Sequence, residues 1–109
     1  MYFIKNKLEQ RVNELVKDEE VRKEILNLSL NFLRYLFKKK EKYVSRMEDY
    51  DLLCDTIIYL TVSFLNKQSI LHKLLIASKR PTKMIGLIPY LEILFHRFIH
   101  EEHPILLNG

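Results

Sequence analysis

The apolar positions open with Ile4, Leu8, Val12, Leu15 and Val16, a spacing of i, i+4, i+8 and i+11 that keeps one helical face apolar while Lys, Glu, Arg and Asn fill the rest. This predicts an amphipathic first helix. Asp18 is placed to cap a second, which carries Val21, Ile25, Leu28, Phe32, Tyr35 and Leu36 on one side and Leu26, Leu30, Leu33 and Phe37 on another. Two apolar sides need two packing partners. The run Lys38, Lys39, Lys40 and Lys42 suits a helix C-terminus, where cations meet the negative end of the helix dipole.

Ser45-Arg46-Met47-Glu48 has the form of a capping box, so a third helix is expected over 46–65. Met47, Tyr50, Leu53, Cys54, Ile57, Leu60, Thr61 and Phe64 share its main face, and Ile58, Val62 and Leu65 widen the apolar arc beyond that of a surface helix. Such a helix is either central or half of an interface. Ser69 precedes a shorter apolar helix ending at 77, and Ser78-Lys79-Arg80-Pro81-Thr82 separates it from a last helix that runs to about 103. Gly86 and Pro89 mark a kink or a fresh start near its beginning, and Pro104 ends it. No strand-like alternation or internal repeat competes with the helical periods. The expected fold is all-α, a single helical domain over 1–109 with 103–109 as a C-terminal tail, built as a compact bundle of four to five helices. Helices two and three each carry more apolar surface than one contact uses, so the bundle is expected to self-associate through them, as a homo-oligomer or as a subunit of a protein assembly.

Composition removes several classes. Hydrophobic residues make up 48% of the chain and charged residues 29%, with two Gly and three Pro, which excludes a disordered or fibrous chain. No basic run followed by an apolar segment opens the sequence, and the longest candidate span, 52–66, contains Asp55 and is too short to cross a bilayer. No membrane contact is expected, and the expected location is cytoplasmic. The single cysteine, Cys54, has no partner for an internal disulfide and stands among Leu53, Ile57 and Ile58 as a small buried hydrophobe. Neither a phosphate-cradling glycine loop, nor a cysteine pair with zinc-ribbon spacing, nor a Gly-x-Ser-x-Gly elbow occurs, so no cofactor is expected. Richness in Ile, Leu, Lys and Tyr without Trp fits an AT-rich genome such as that of a virus or mobile element.

Charge adds a candidate surface. The formal net charge of +4 favours acidic partners. Lys38, Lys39, Lys40, Lys42 and Arg46 surround Tyr43, and Lys79, Arg80 and Lys83 occupy a second turn; together they are expected to form a phosphate-binding patch with Tyr43 stacking on an unpaired base. RNA or DNA therefore joins protein as an expected partner. The plainer account is a pair of solvated turns. Helix-turn-helix readout would need a polar recognition helix, whereas Met84-Ile85-Gly86-Leu87-Ile88 is almost wholly apolar and belongs in a core or interface.

Glu92, His96, His100 and His103 follow i, i+4, i+8 and i+11 on the last helix, and imidazoles one turn apart can share a first-row metal. They also form the polar stripe opposite Leu91, Leu94, Phe95 and Phe98, which explains them without a metal, and none is expected. In the same segment Arg97-Phe98-Ile99-His100-Glu101-Glu102-His103 resembles, over seven residues, the Arg…His pattern of the HEPN superfamily of small helical RNases. That resemblance implies a metal-independent cleavage site at a dimer interface, with Arg97 and His103 as its residues. Apolar Phe98 departs from the family, where a polar residue usually follows the arginine, so the RNase is kept as the alternative. The leading expectation is a non-enzymatic basic helical interaction protein that contacts nucleic acid. A purely protein-binding adaptor or regulator is the further alternative.

Overall fold

The structure is a computed structural model that describes residues 2–45 and 47–108, without the side chains of Tyr43, Ser45 and Asn108. Its elements are α1 (Tyr2–Leu15), α2 (Glu19–Lys38), α3 (Lys42–Ser45), α4 (Tyr50–Phe64), α5 (Gln68–Ala77), α6 (Pro81–Glu102) and α7 (Ile105–Asn108). The all-α class and the compact bundle are as the periodicity predicts. Five helices are of ten residues or more, and α3 and α7 are single turns.

Local chemistry explains most boundaries. The Asp18 carboxylate accepts from the amides of Glu20 and Val21 at 3.0 and 3.1 Å, and so starts α2. At its other end Lys40 takes the left-handed conformation (φ 52°), and the amides of Lys40 and Glu41 donate back to the carbonyls of Phe37 and Leu36. Asn66 (φ 58°) closes α4 in the same way, its amide and that of Lys67 donating to Ser63 and Val62.

Three expected boundaries move. α4 starts at Tyr50 rather than 46, because Asp49 caps it by accepting from the Leu52 amide at 3.0 Å, while the segment around the supposed capping box forms the separate turn α3 with Val44 buried. Arg46 and the Ser45 side chain lie outside the described residues. α5 starts one residue before Ser69, with Lys67 at its N-cap and no side-chain cap, since the turn that closes α4 leads directly into it. α6 runs unbroken through Gly86 and Pro89. Pro89 is exposed, and a Cβ at Gly86 would meet nothing within 4 Å, so both breakers sit where the helix tolerates them.

α4 is the hub. It packs against α1, α2, α5 and α6, while α1 also packs on α2 and α5, and α2 on α6. Surrounded in this way, α4 buries Leu53, Cys54, Ile57, Ile58, Leu60 and Val62, residues that spread over more than half of its circumference. α2 likewise buries Ile25, Leu28, Leu30, Phe32, Leu33, Tyr35 and Leu36 within the chain. The apolar faces of helices two and three are thus used largely by contacts within the chain, with Val21, Leu26, Phe37, Tyr59, Phe64 and Leu65 left half-buried. Polar side chains inside are satisfied: Ser29 donates to Thr61 Oγ1 at 3.0 Å, and Thr61 donates to the Ile57 carbonyl.

Candidate functional site: a charged cleft and the basic turns

A cleft of about 270 Å³ lies where α1, the start of α4 and the α5–α6 turn meet. Its centre is Arg11. This guanidinium reaches Asp55 twice, Nε to Oδ1 at 2.7 Å and Nη2 to Oδ2 at 3.2 Å, and Nη2 also donates to the Ala77 carbonyl at 3.1 Å. The Arg11 charge is thereby reinforced, the hydrogen bond to Asp55 being the main cause. Asp55 is buried in a stretch of α4 whose neighbours Leu53, Cys54, Ile57 and Ile58 are all buried and apolar, so a carboxylate there requires such a partner. Around this pair Lys7 bonds Asp51 at 2.9 Å, Arg80 pairs with Asp49, and Glu14 stands 3.5 Å from Arg11. The Lys7 hydrogen bond holds the Asp51 carboxyl below its ordinary range.

The four carboxylates that line the cleft are thus all ion-paired, and their chemistry is cohesive: α1, α4 and the α5–α6 turn are clamped through charge. Of this set only Arg80 was singled out from sequence, and as a phosphate contact rather than a partner of Asp49. The available signal was Asp55, a lone charge in an apolar run; its partner lies 44 residues away.

Cys54 borders the cleft but is buried, as expected, and its Sγ approaches the Ile4 carbonyl at 3.9 Å. Burial pushes its thiol up to about 12 from an ordinary value near 9. The folded state therefore holds this proton more tightly than the unfolded chain. Its contribution to stability is complete below pH 9 and is lost toward pH 12, by about 1.4 kcal/mol per pH unit. Urea unfolding across pH 8–11 should show this alkaline loss, and Cys54→Ala should lack that share of it. Parallel curves for the two proteins would refute the assignment.

The basic residues fall into two places. Lys38, Lys39, Lys40 and Lys42 are exposed at the end of α2 and in α3; Lys39 lies 3.6 Å from Glu101 and over the Tyr35 ring. Lys79, Arg80 and Lys83 are exposed at the start of α6, Arg80 held by Asp49. Glu101 and Arg80 sit at opposite ends of α6, about 32 Å apart at 1.5 Å per residue. The side chain of Tyr43 and the whole of Arg46 lie outside the described residues.

On the last helix Glu92 and His96 are exposed and 3.7 Å apart, His100 is exposed one turn on, and His103 is the half-buried C-cap, its ring 5.1 Å from that of Phe98. Among the described residues no three His, Cys, Asp or Glu side chains gather as a metal site. Arg97 is exposed on α6, whereas the half-buried His103 ring, beyond the last helical residue, turns against Phe98.

Comparison with protein-family models, curated proteins and solved structures gives no match for this chain. Among the described residues no helix is long and apolar enough to cross a membrane.

Proposed function

We propose that this protein is a non-enzymatic helical interaction module that binds a protein partner on the side where α5 and α6 stand apart. The observation that carries this reading is apolar exposure on those two helices: Ile76 is 73% exposed, Ile93 62%, Ile85 60% and Leu75 36%. Large aliphatic side chains exposed on successive helices are a mark of protein contact sites. Catalysis is the weaker reading, because the cleft's carboxylates are ion-paired and its thiol holds its proton. Nucleic-acid binding through one combined patch is also weaker, with the two basic turns at opposite ends of α6 and Lys39 and Arg80 beside carboxylates. The reading follows the protein-binding alternative rather than the leading expectation from sequence.

The experiment is a photo-crosslinking amino acid placed at Ile85 and, as a control, at exposed Asn13 of α1, in cells that express the protein. A discrete protein adduct from position 85 that is absent from position 13 is the expected result. Adducts to RNA, or equal labelling from both positions, would overturn the reading.

A further inference from the structure

We infer that the partner is a second copy of this chain, paired in parallel through the outer face of α6. This rests on the docking reading above and names the occupant of its α6 half.

The outer face has a repeat of its own. Thr82, Gly86, Pro89, Ile93, His96 and His100 are all exposed and follow spacings of four, three, four, three and four, so they form one stripe on the side of α6 opposite buried Met84, Leu91, Leu94, Phe95 and Phe98. Such spacing is the a and d seam of a coiled coil, with Gly86, Ile93 and His100 at a and Thr82, Pro89 and His96 at d. The seam holds no Asp, Glu, Lys or Arg. Ile93 is its large aliphatic side chain, and exposed Ile85 stands beside it on the g flank. A seam this short is marginal between free peptides, but α6 is already held as a helix by α4 and α2, so pairing carries no cost of helix formation.

The flanks decide the occupant and its direction. Glu92 falls at g and Arg97 at the e position of the next heptad, and both are exposed. Within one copy they stand about 140° apart around α6, on opposite sides of the seam, so they cannot pair with each other. Glu92 there lies 3.7 Å from His96. In a parallel pair these g and e positions face each other between helices, so a second copy matches Glu92 with Arg97 twice by symmetry and sets Ile85 against half-buried Tyr90 in the heptad before. Lys83, at the start of the e flank, has no helical g residue ahead of it and stays in solvent. An antiparallel pair would set each flank against its own kind, Lys83 and Arg97 against cations and Glu92 without one, so charge selects the parallel arrangement. His96 and His100 are polar seam residues, which fix register at a loss of affinity.

The test is sedimentation equilibrium of the full chain from about 1 µM to 1 mM, where a monomer–dimer equilibrium with a Kd of about 10–100 µM is expected. Ile93→Glu should abolish it. Glu92→Arg and Arg97→Glu should each weaken it about tenfold, because each sets like charges together twice, while an equimolar mixture of the two single variants should dimerise as tightly as the wild type. Gly86→Cys should give a disulfide-linked dimer on mild oxidation, since a Cβ at 86 meets nothing within 4 Å, a parallel seam brings the two copies' position 86 together, and Cys54 is buried. Retained helical circular dichroism confirms that the variants fold. A monomer at every concentration would overturn the inference, while an adduct from Ile85 to a different protein would leave the docking reading standing. A dimer that survives Ile93→Glu would also overturn it, by giving the contact to another face, and so would charge variants that bind like the wild type or a Gly86→Cys protein that does not cross-link.

Discussion

Replacing Arg11 with methionine should destabilise the protein by about 3 kcal/mol, because it leaves Asp55 charged, buried and without its partner. The Asp55 side chain is 7% exposed and accepts both of its strong hydrogen bonds from Arg11, whose own side chain is 23% exposed. Methionine preserves the aliphatic bulk of the arginine, so the loss isolates the charge. Changing both residues, Arg11→Met with Asp55→Leu, removes the orphaned carboxylate and should recover most of the stability, as paired burial of ions is often matched by well-packed apolar replacements. Full recovery is not expected, since the Ala77 carbonyl at the end of α5 also loses its donor. Urea unfolding of the wild type, both single variants and the double variant measures the coupling directly. A single-variant loss below 1 kcal/mol, or a double variant no better than Arg11→Met, would show that water satisfies Asp55 and that the clamp is cosmetic.

Which parts of this molecule could be seen in its sequence depends on how local the deciding interaction is. α1 and α2 are legible because their apolar spacing and the Asp18 cap are each contained within a few residues. The start of α4 is not, because two cap signals stand four residues apart. Ser45 with Glu48 competes with Asp49, and the outcome depends on Val44 entering the core, a tertiary event. Gly86 and Pro89 raise a similar ambiguity. Both breakers lie on the solvent side of α6, where their local cost is accepted without ending the helix. The breadth of the apolar arc on α4 was plain in the sequence, yet periodicity counts neighbours without saying whether they belong to the same chain. Here the neighbours are α1, α2, α5 and α6. The clamp stayed hidden for the same reason: Asp55 announces that a cation is needed, and Arg11 is one of eighteen Lys and Arg residues able to supply it.

Phe98→Ala should cost about 3–5 kcal/mol, a large share of the 5–15 kcal/mol that holds a domain of this size together. Phe98 is fully buried, and its ring lies 5.3 Å from Phe32, 5.4 Å from Tyr35 and 5.8 Å from Phe95, so truncation opens a cavity bounded by rings from α2 and α6 that are themselves held by neighbours. Little can collapse into the space. Phe98→Leu keeps most of the volume and should cost less than half as much, whereas Ile93→Ala, on the exposed side of the same helix, should stay within about 0.5 kcal/mol. Thermal and urea unfolding of the three variants would give this order, and a Phe98→Ala loss under 1.5 kcal/mol would mean that the aromatic cluster repacks. The result also bears on the arginine and histidine around it. His103 packs its ring on Phe98 and caps α6, so within this segment the apolar residue that departs from the RNase pattern is the one that anchors the histidine. Loss of the Phe98 ring should therefore loosen the end of α6 as well as the core, visible as faster amide exchange at Glu102 and His103 than global unfolding alone would produce.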